Sequence, residues 1–211
     1  MNAQTERLSL VGAAGAIEAL RDLPPAGVAV RGAAVIAHPH PLFGGTMDNK
    51  VVQTLARAFV ASGYQAVRFN FRGVGASAGG YDAGQGECED LLAVVRQVAP
   101  EGPLALAGFS FGAFVTSHAL QQLWPQRSVQ HAVLVGTAAS RFDVAPVPPE
   151  AQLRTLVVHG EHDETVPLTS VMDWARPQLL PVTVVPGGGH FFHGQLPLLK
   201  NLVLRHLQTQ C

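Results

Sequence analysis

The stretch that most constrains this chain runs from Pro103 to Trp124. The apolar run Leu104-Ala-Leu-Ala-Gly108 enters Gly108-Phe109-Ser110-Phe111-Gly112, and a second apolar run with helical spacing follows. A strand that becomes a helix within five residues must turn sharply, and a glycine on each side of the serine removes side chains that would collide there. The serine is then left at the strand's carboxyl end, beside the unsatisfied N–H groups of a helix N-terminus. Such amides favour the negative oxygen that forms when a hydroxyl attacks an ester or amide carbonyl. Ser110 is therefore a candidate nucleophile, and the Phe111 N–H a candidate oxyanion donor. The competing role is an ordinary helix cap, for which serine is equally suited.

From about residue 30 onward, short strand-like runs alternate with longer helical patterns, which predicts an α/β fold with a mostly parallel sheet and helices on both faces. Strands are expected at Ala33–His38, Gln65–Phe71, Leu104–Gly108, His131–Gly136, Thr155–His159 and Val182–Val185. Helices are expected at Asn49–Ser62, Glu87–Val98, Gly112–Trp124, Leu168–Arg176 and Leu196–Gln208. Ahead of these, Thr5–Val11 and Gly15–Leu23 alternate around Gly12–Gly15 and read as an N-terminal antiparallel hairpin at the sheet edge. The 211 residues suit a single domain spanning 1–211. Only about 18 residues separate the strands at His131 and Thr155, too few for a large lid domain, so the site is expected to be shallow and open.

The chain is 47% hydrophobic and 14% charged, with 22 glycines, as a sheet buried on both faces requires. Fourteen basic against fifteen acidic residues, with no basic run, leave no electrostatic footprint for nucleic acid or for acidic lipid. A small neutral or weakly charged ligand is the expected partner; oligomeric state is not legible. Two cysteines, Cys88 and Cys211, make no disulfide framework. The first ten residues lack a basic start leading into an apolar run, so a cytoplasmic protein with no membrane association is expected. Cys88 falls in a helix and reads as packing.

In a parallel sheet, ligands bind beyond the carboxyl ends of the strands. After Thr155–His159 comes His159-Gly-Glu-His-Asp163, and after Val182–Val185 comes Pro186-Gly-Gly-Gly-His190. Asp163 alone could be a turn former, and His190 alone a surface residue. In the order Ser110, Asp163, His190 at successive strand ends, they form a candidate triad of nucleophile, acid and base. The loop His38-Pro39-His40-Pro41 follows the first central strand, where a second oxyanion N–H is needed. Prolines donate none, which leaves His40 or Leu42, and His40 is favoured. Leu42, Phe43, Phe109 and Phe191 are candidate substrate-binding residues, with Phe111 also able to line an apolar site. Gly73-Val-Gly-Ala-Ser-Ala78 imitates a dinucleotide loop, but Gly79-Gly-Tyr-Asp82 cannot open the helix that should follow, so no cofactor is expected. The histidine pairs His38/His40, His159/His162 and His190/His193 lack a third ligand at zinc spacing, so no metal is expected.

With these residues in place, the chain resembles the small lidless bacterial serine hydrolases of the alpha/beta-hydrolase superfamily, in the dienelactone-hydrolase-like and serine-esterase group. The resemblance covers about residues 30 to 200. It rests on His38-Pro-His-Pro-Leu-Phe-Gly-Gly-Thr-Met-Asp-Asn-Lys50, Arg68-Phe-Asn-Phe-Arg-Gly-Val-Gly75 with Ser77, Gly108–Gly112, His159–Asp163 and Gly187–His193. It implies the alpha/beta-hydrolase fold, with Ser110 as nucleophile, Asp163 as acid and His190 as base. Dienelactone hydrolases themselves use cysteine, so the serine argues against that activity. The expectation is hydrolysis of short-chain carboxylic esters through an acyl-enzyme. Amide or peptide hydrolysis by the same triad, or a non-catalytic binding module on the same fold, are the alternatives.

Overall fold

Side-chain alternation along the central strands dictates a sheet covered on both faces. In the computed structural model, which describes residues 5–208 except 125 and 128, the strands are β1 (Thr5–Gly12), β2 (Gly15–Asp22), β3 (Gly32–Ala37), β4 (Tyr64–Phe69), β5 (Leu104–Phe109), β6 (Val129–Val135), β7 (Thr155–Gly160) and β8 (Val182–Val185). The helices are α1 (Lys50–Ala61), α2 (Gln85–Val98), α3 (Phe111–Leu123), α4 (Leu168–Ala175) and α5 (Leu196–Gln208). Among the described residues the strands form one eight-stranded sheet in the order β1-β2-β4-β3-β5-β6-β7-β8. The β1–β2 and β2–β4 pairs are antiparallel, and every pair from β4 to β8 is parallel. This is the alpha/beta-hydrolase fold, with its antiparallel hairpin at one edge.

Successive residues of one strand face opposite sides. Val35, Ala37, Leu104 and Leu106 join the core beneath α2, α3 and α4. Their neighbours Ala34, Ile36, Ala105 and Ala107 join the core beneath α1 and α5. Both faces are apolar, so a one-residue slip would not expose a polar face. Register is pinned instead at the strand ends, where Arg68 ties three segments together. Its Nε donates to Asp22 at the end of β2, and its Nη1 donates to the Met47 carbonyl and the Asp48 carboxylate ahead of α1.

The elements fall where the sequence places them, with shifts that have local causes. β4 stops at Phe69 rather than Phe71, because the Phe71 N–H leaves the sheet ladder and donates to His38 Nε2 at 3.0 Å. α2 begins at Gln85, two residues early, because buried Glu87 accepts the N–H groups of Asp82 and Gly84 and so caps a turn that the apolar pattern does not mark. The sequence pattern marks none of the three 3-10 turns, Pro41–Phe43, Pro149–Arg154 and Arg176–Gln178. The second is the only regular structure between β6 and β7 among the described residues, so no lid helix is built there.

The glycine loop after β4 is a hydrogen-bonded hub. Ser77 Oγ donates to the Asn70 carbonyl and accepts from the Glu18 N–H. The Glu18 carboxylate accepts from the Ala76 N–H and from the Asn70 side chain, and these two bonds hold it below the usual carboxylate range. Arg72 meets Asp90 with its N–H, Nε and Nη2, fastening the loop to α2. The Cys88 thiol is buried and pushed up to about 11 by that burial, as a packing residue would be; Cys211 lies outside the described residues. Among the described residues no helix is long and apolar enough to cross a membrane.

Candidate active site

Between β5 and α3 the chain makes the turn that the two glycines allow. Ser110 sits at φ 57° and ψ −117°, a region that residues with a Cβ rarely adopt. A Cβ at Gly108 would fall 2.3 Å from the Gly112 carbonyl oxygen, and one at Gly112 would fall 2.4 Å from that of Ala37. Both positions therefore exclude any side chain, and the strained serine between them is locked by donating its N–H to the Val135 carbonyl at 2.8 Å.

Two loops are stitched together opposite it. The Glu161 N–H donates to the Val185 carbonyl, and the His162 N–H to that of Gly188. Gly160 packs so closely on this second loop that a Cβ would lie 2.4 Å from the Gly188 carbonyl oxygen. The stitching brings Asp163 and His190 into contact. His190 Nδ1 lies 2.7 Å from Asp163 Oδ2, and its Nε2 lies 3.0 Å from Ser110 Oγ. Asp163 Oδ1 accepts the N–H groups of Thr165 at 2.9 Å and Val166 at 2.7 Å. Burial pushes the Asp163 carboxyl up, but the bonds from His190 and Val166 and the positive charge His190 can carry outweigh it, and the group stays below the usual carboxylate range. A carboxylate in this state fixes the His190 tautomer with its proton on Nδ1 and a bare Nε2 facing the serine hydroxyl.

On the other side of Ser110, fully buried His38 is held in one tautomer. Its Nδ1–H donates to the Pro39 carbonyl at 2.6 Å, and its Nε2 accepts from Phe71. The Pro39 carbonyl and the His40 N–H belong to one peptide, so this bond sets the direction of the His40 N–H. The Leu42 N–H is used locally, donating to His40 Nδ1 at 3.2 Å. Among the described residues the N–H groups of His40 and Phe111 have no acceptor. Of the two candidates that the sequence leaves open, Leu42 spends its N–H within its own loop, and the His40 N–H is the one without an acceptor among the described residues.

The candidate substrate residues divide. Leu42, Phe43 and Phe191 are exposed, at 66%, 73% and 44%. Phe109 is fully buried, and its ring lies 4.9 Å from that of His190. Phe109 faces away from any incoming ligand because the last residue of β5 points into the core beneath α1, so its place is under the imidazole. Phe111 is also fully buried, with its ring 4.9 Å from that of His40. Three residues that the sequence reading passed over belong here. Tyr81 and Phe142 flank the His40 ring at 5.0 and 5.9 Å. Gly136, at the end of β6 with φ +55°, leaves room for His190; a Cβ there would lie 3.3 Å from His190 Cε1. A glycine directly after a buried strand at the ligand edge was the available signal.

Among the described residues, no three His, Cys, Asp or Glu side chains lie together as a metal site would need. The comparisons with known proteins agree with the fold. The family model for serine aminopeptidase, S33, matches residues 29–149, which take in the His40 loop and Ser110. The crystal structure of XC6422 from Xanthomonas campestris, described as an a/b serine hydrolase without lid, is 38% identical over 99% of this chain and 95% of its own, with a TM-score of 0.87. An alpha-beta serine hydrolase homologue from Coxiella burnetii is 39% identical over 96% of this chain and 97% of its own, with a TM-score of 0.80. The uncharacterized Rickettsia prowazekii protein RP471 is 31% identical over 75% of this chain and 71% of its own. A sharply turned serine at the end of β5, in a chain matched over more than half its length by that model, establishes that the protein belongs to the S33 serine aminopeptidase family of alpha/beta serine hydrolases.

Proposed function

We propose that the protein hydrolyses small carboxylic esters with short acyl groups, using Ser110 as nucleophile, His190 as general base and then general acid, and Asp163 as the carboxylate that holds the imidazole. The observation that carries this reading is the continuous path from Asp163 Oδ2 through His190 to Ser110 Oγ, at 2.7 and 3.0 Å. His190 Nε2 takes the Ser110 proton as Oγ attacks the carbonyl carbon. The N–H groups of Phe111 and His40 receive the oxyanion, each worth about 10²-fold to 10³-fold in comparable sites. His190 then protonates the leaving alcohol, and a water deprotonated by His190 releases the acid and restores Ser110. The exposed side chains of Leu42, Phe43 and Phe191 supply apolar contact at an open mouth, which suits short acyl groups better than long chains. The cytoplasm, a small-molecule partner and the absence of a cofactor belong to the same reading.

The name of the matching family model, serine aminopeptidase, favours a second reading in which the same groups cleave an amide. Paired assays on p-nitrophenyl acetate and the matching anilide separate the two. The ester reading predicts turnover of the ester that Ser110→Ala abolishes, with the anilide slower by orders of magnitude. Faster anilide cleavage would favour the amide reading, and undiminished ester turnover by Ser110→Ala would overturn both.

A further inference from the structure

One buried imidazole remains unexplained beside the triad. His159, in β7, is fully buried, and its Nε2 lies 2.9 Å from the Val166 carbonyl oxygen and 3.5 Å from Asp163 Oδ2. A carbonyl oxygen only accepts, so Nε2 carries the proton and Nδ1 is bare. That Nδ1 is enclosed and has no partner among the described residues. A side chain that merely filled this space would do so better as phenylalanine or leucine, which leave no lone pair stranded in the core. What the imidazole adds is one N–H that holds the Val166 carbonyl, and Val166 is the residue whose own N–H donates to Asp163 Oδ1. Asp163 Oδ1 accepts two backbone N–H groups from this turn, which leaves Oδ2 to His190 Nδ1.

We propose that His159 is a positioning residue for the reaction. Its Nε2–H clamps the Val166 carbonyl and so fixes the turn whose N–H groups hold Asp163 Oδ1, keeping the carboxylate ionised and aimed at His190 while Ser110 attacks. The proposal rests on the triad reading. Asp163 and His190 are the titratable groups that act on His159, and burial, the larger influence, pushes its own pKa down, so the ring stays neutral and keeps its proton on Nε2. Releasing the Val166 carbonyl loosens the N–H groups on Asp163 Oδ1 and makes the carboxylate more basic, so it holds a proton on His190 more strongly and the base is available only at higher pH.

The test compares His159→Phe, which removes the donor, with His159→Gln, whose amide N–H can reach toward the same Val166 carbonyl, on p-nitrophenyl acetate across pH. His159→Phe is expected to lower kcat about tenfold with KM within about twofold, and to move the acid limb of kcat/KM to higher pH. His159→Gln is expected to recover most of kcat and the original acid limb. A wild-type profile in His159→Phe overturns the proposal, as does a His159→Gln variant as impaired as His159→Phe. If His159→Phe does not fold, His159→Asn takes its place, since its shorter amide falls short of the Val166 carbonyl. Ser110→Ala and His190→Ala are run in parallel. Retained activity in those variants means that the triad reading itself has failed, which is distinguishable from a failure at His159 alone.

Discussion

At the residue scale, the site depends as much on atoms that are missing as on those present. Gly136 shows this most directly, because a Cβ there would press on the rings of Phe109 and His190 at 3.2 and 3.3 Å. Gly136→Val should push the imidazole off its line to Ser110 and lower kcat/KM by about 100-fold, the loss expected from a misplacement near 1 Å. Steady-state kinetics check it, and wild-type kcat/KM in a folded Gly136→Val protein would contradict the geometry. Ser110, Asp163 and His190 could be singled out from the chain because each carries reactive chemistry and each follows an apolar strand. Gly136, Tyr81 and Phe142 could not, because their contributions are shape and proximity, and none of the three has a residue type that announces it. Phe109 was misplaced for the same reason. An aromatic beside a candidate nucleophile invites a substrate role, but strand parity turns it inward beneath His190.

At the scale of elements, what positions the site is the joining of loops. The hairpin, the His40 loop, the glycine loop and α2 are connected through Glu18, Asn70, Ser77 and Arg72. That hub occupies the segment that imitates a dinucleotide loop, and its glycines serve tight turns there. The strands and helices themselves were legible, since apolar runs of fixed period mark them, and their ends were less so because polar side chains decide them. Glu87 is the clearest case. It closes the start of α2 by accepting two N–H groups from the preceding loop while being fully buried. Glu87→Ala should leave both donors unpaired and destabilise the protein by about 2 kcal/mol, within the range for buried donors that lose a partner. Urea denaturation measures it, and an unchanged midpoint would show that the cap contributes nothing.

At the scale of the whole molecule, the buried histidines make stability depend on pH. Burial pushes His38 down to about 4, whereas in the unfolded chain it titrates near its ordinary value of 6.5. Between those limits the unfolded state binds the proton and the folded state does not, so the stability from neutral His38 is complete above 6.5 and is lost as pH falls toward 4. The loss from this one group is about 3 kcal/mol. His131, buried at the opposite end of the sheet, is likewise pushed down to about 4 by burial first and by nearby positive charge second, and adds in the same direction. The melting temperature should therefore fall steadily from pH 6.5 to pH 4, which calorimetry can follow; a flat profile across that window would contradict the buried neutral state of His38. The fall in stability and the acid limb of activity arise from different groups, so they should separate when melting and kinetics are measured on the same samples.

In the proposed mechanism Ser110 is an activated nucleophile held by His190 and Asp163. Its most direct measurement is covalent labelling with a fluorophosphonate, followed by mass spectrometry of the intact protein and its peptides. A single adduct on Ser110 is expected, forming in step with loss of ester hydrolysis, absent in Ser110→Ala, and forming far more slowly in His190→Ala. An unmodified Ser110, or an adduct at another residue accompanied by the same loss of activity, would contradict it.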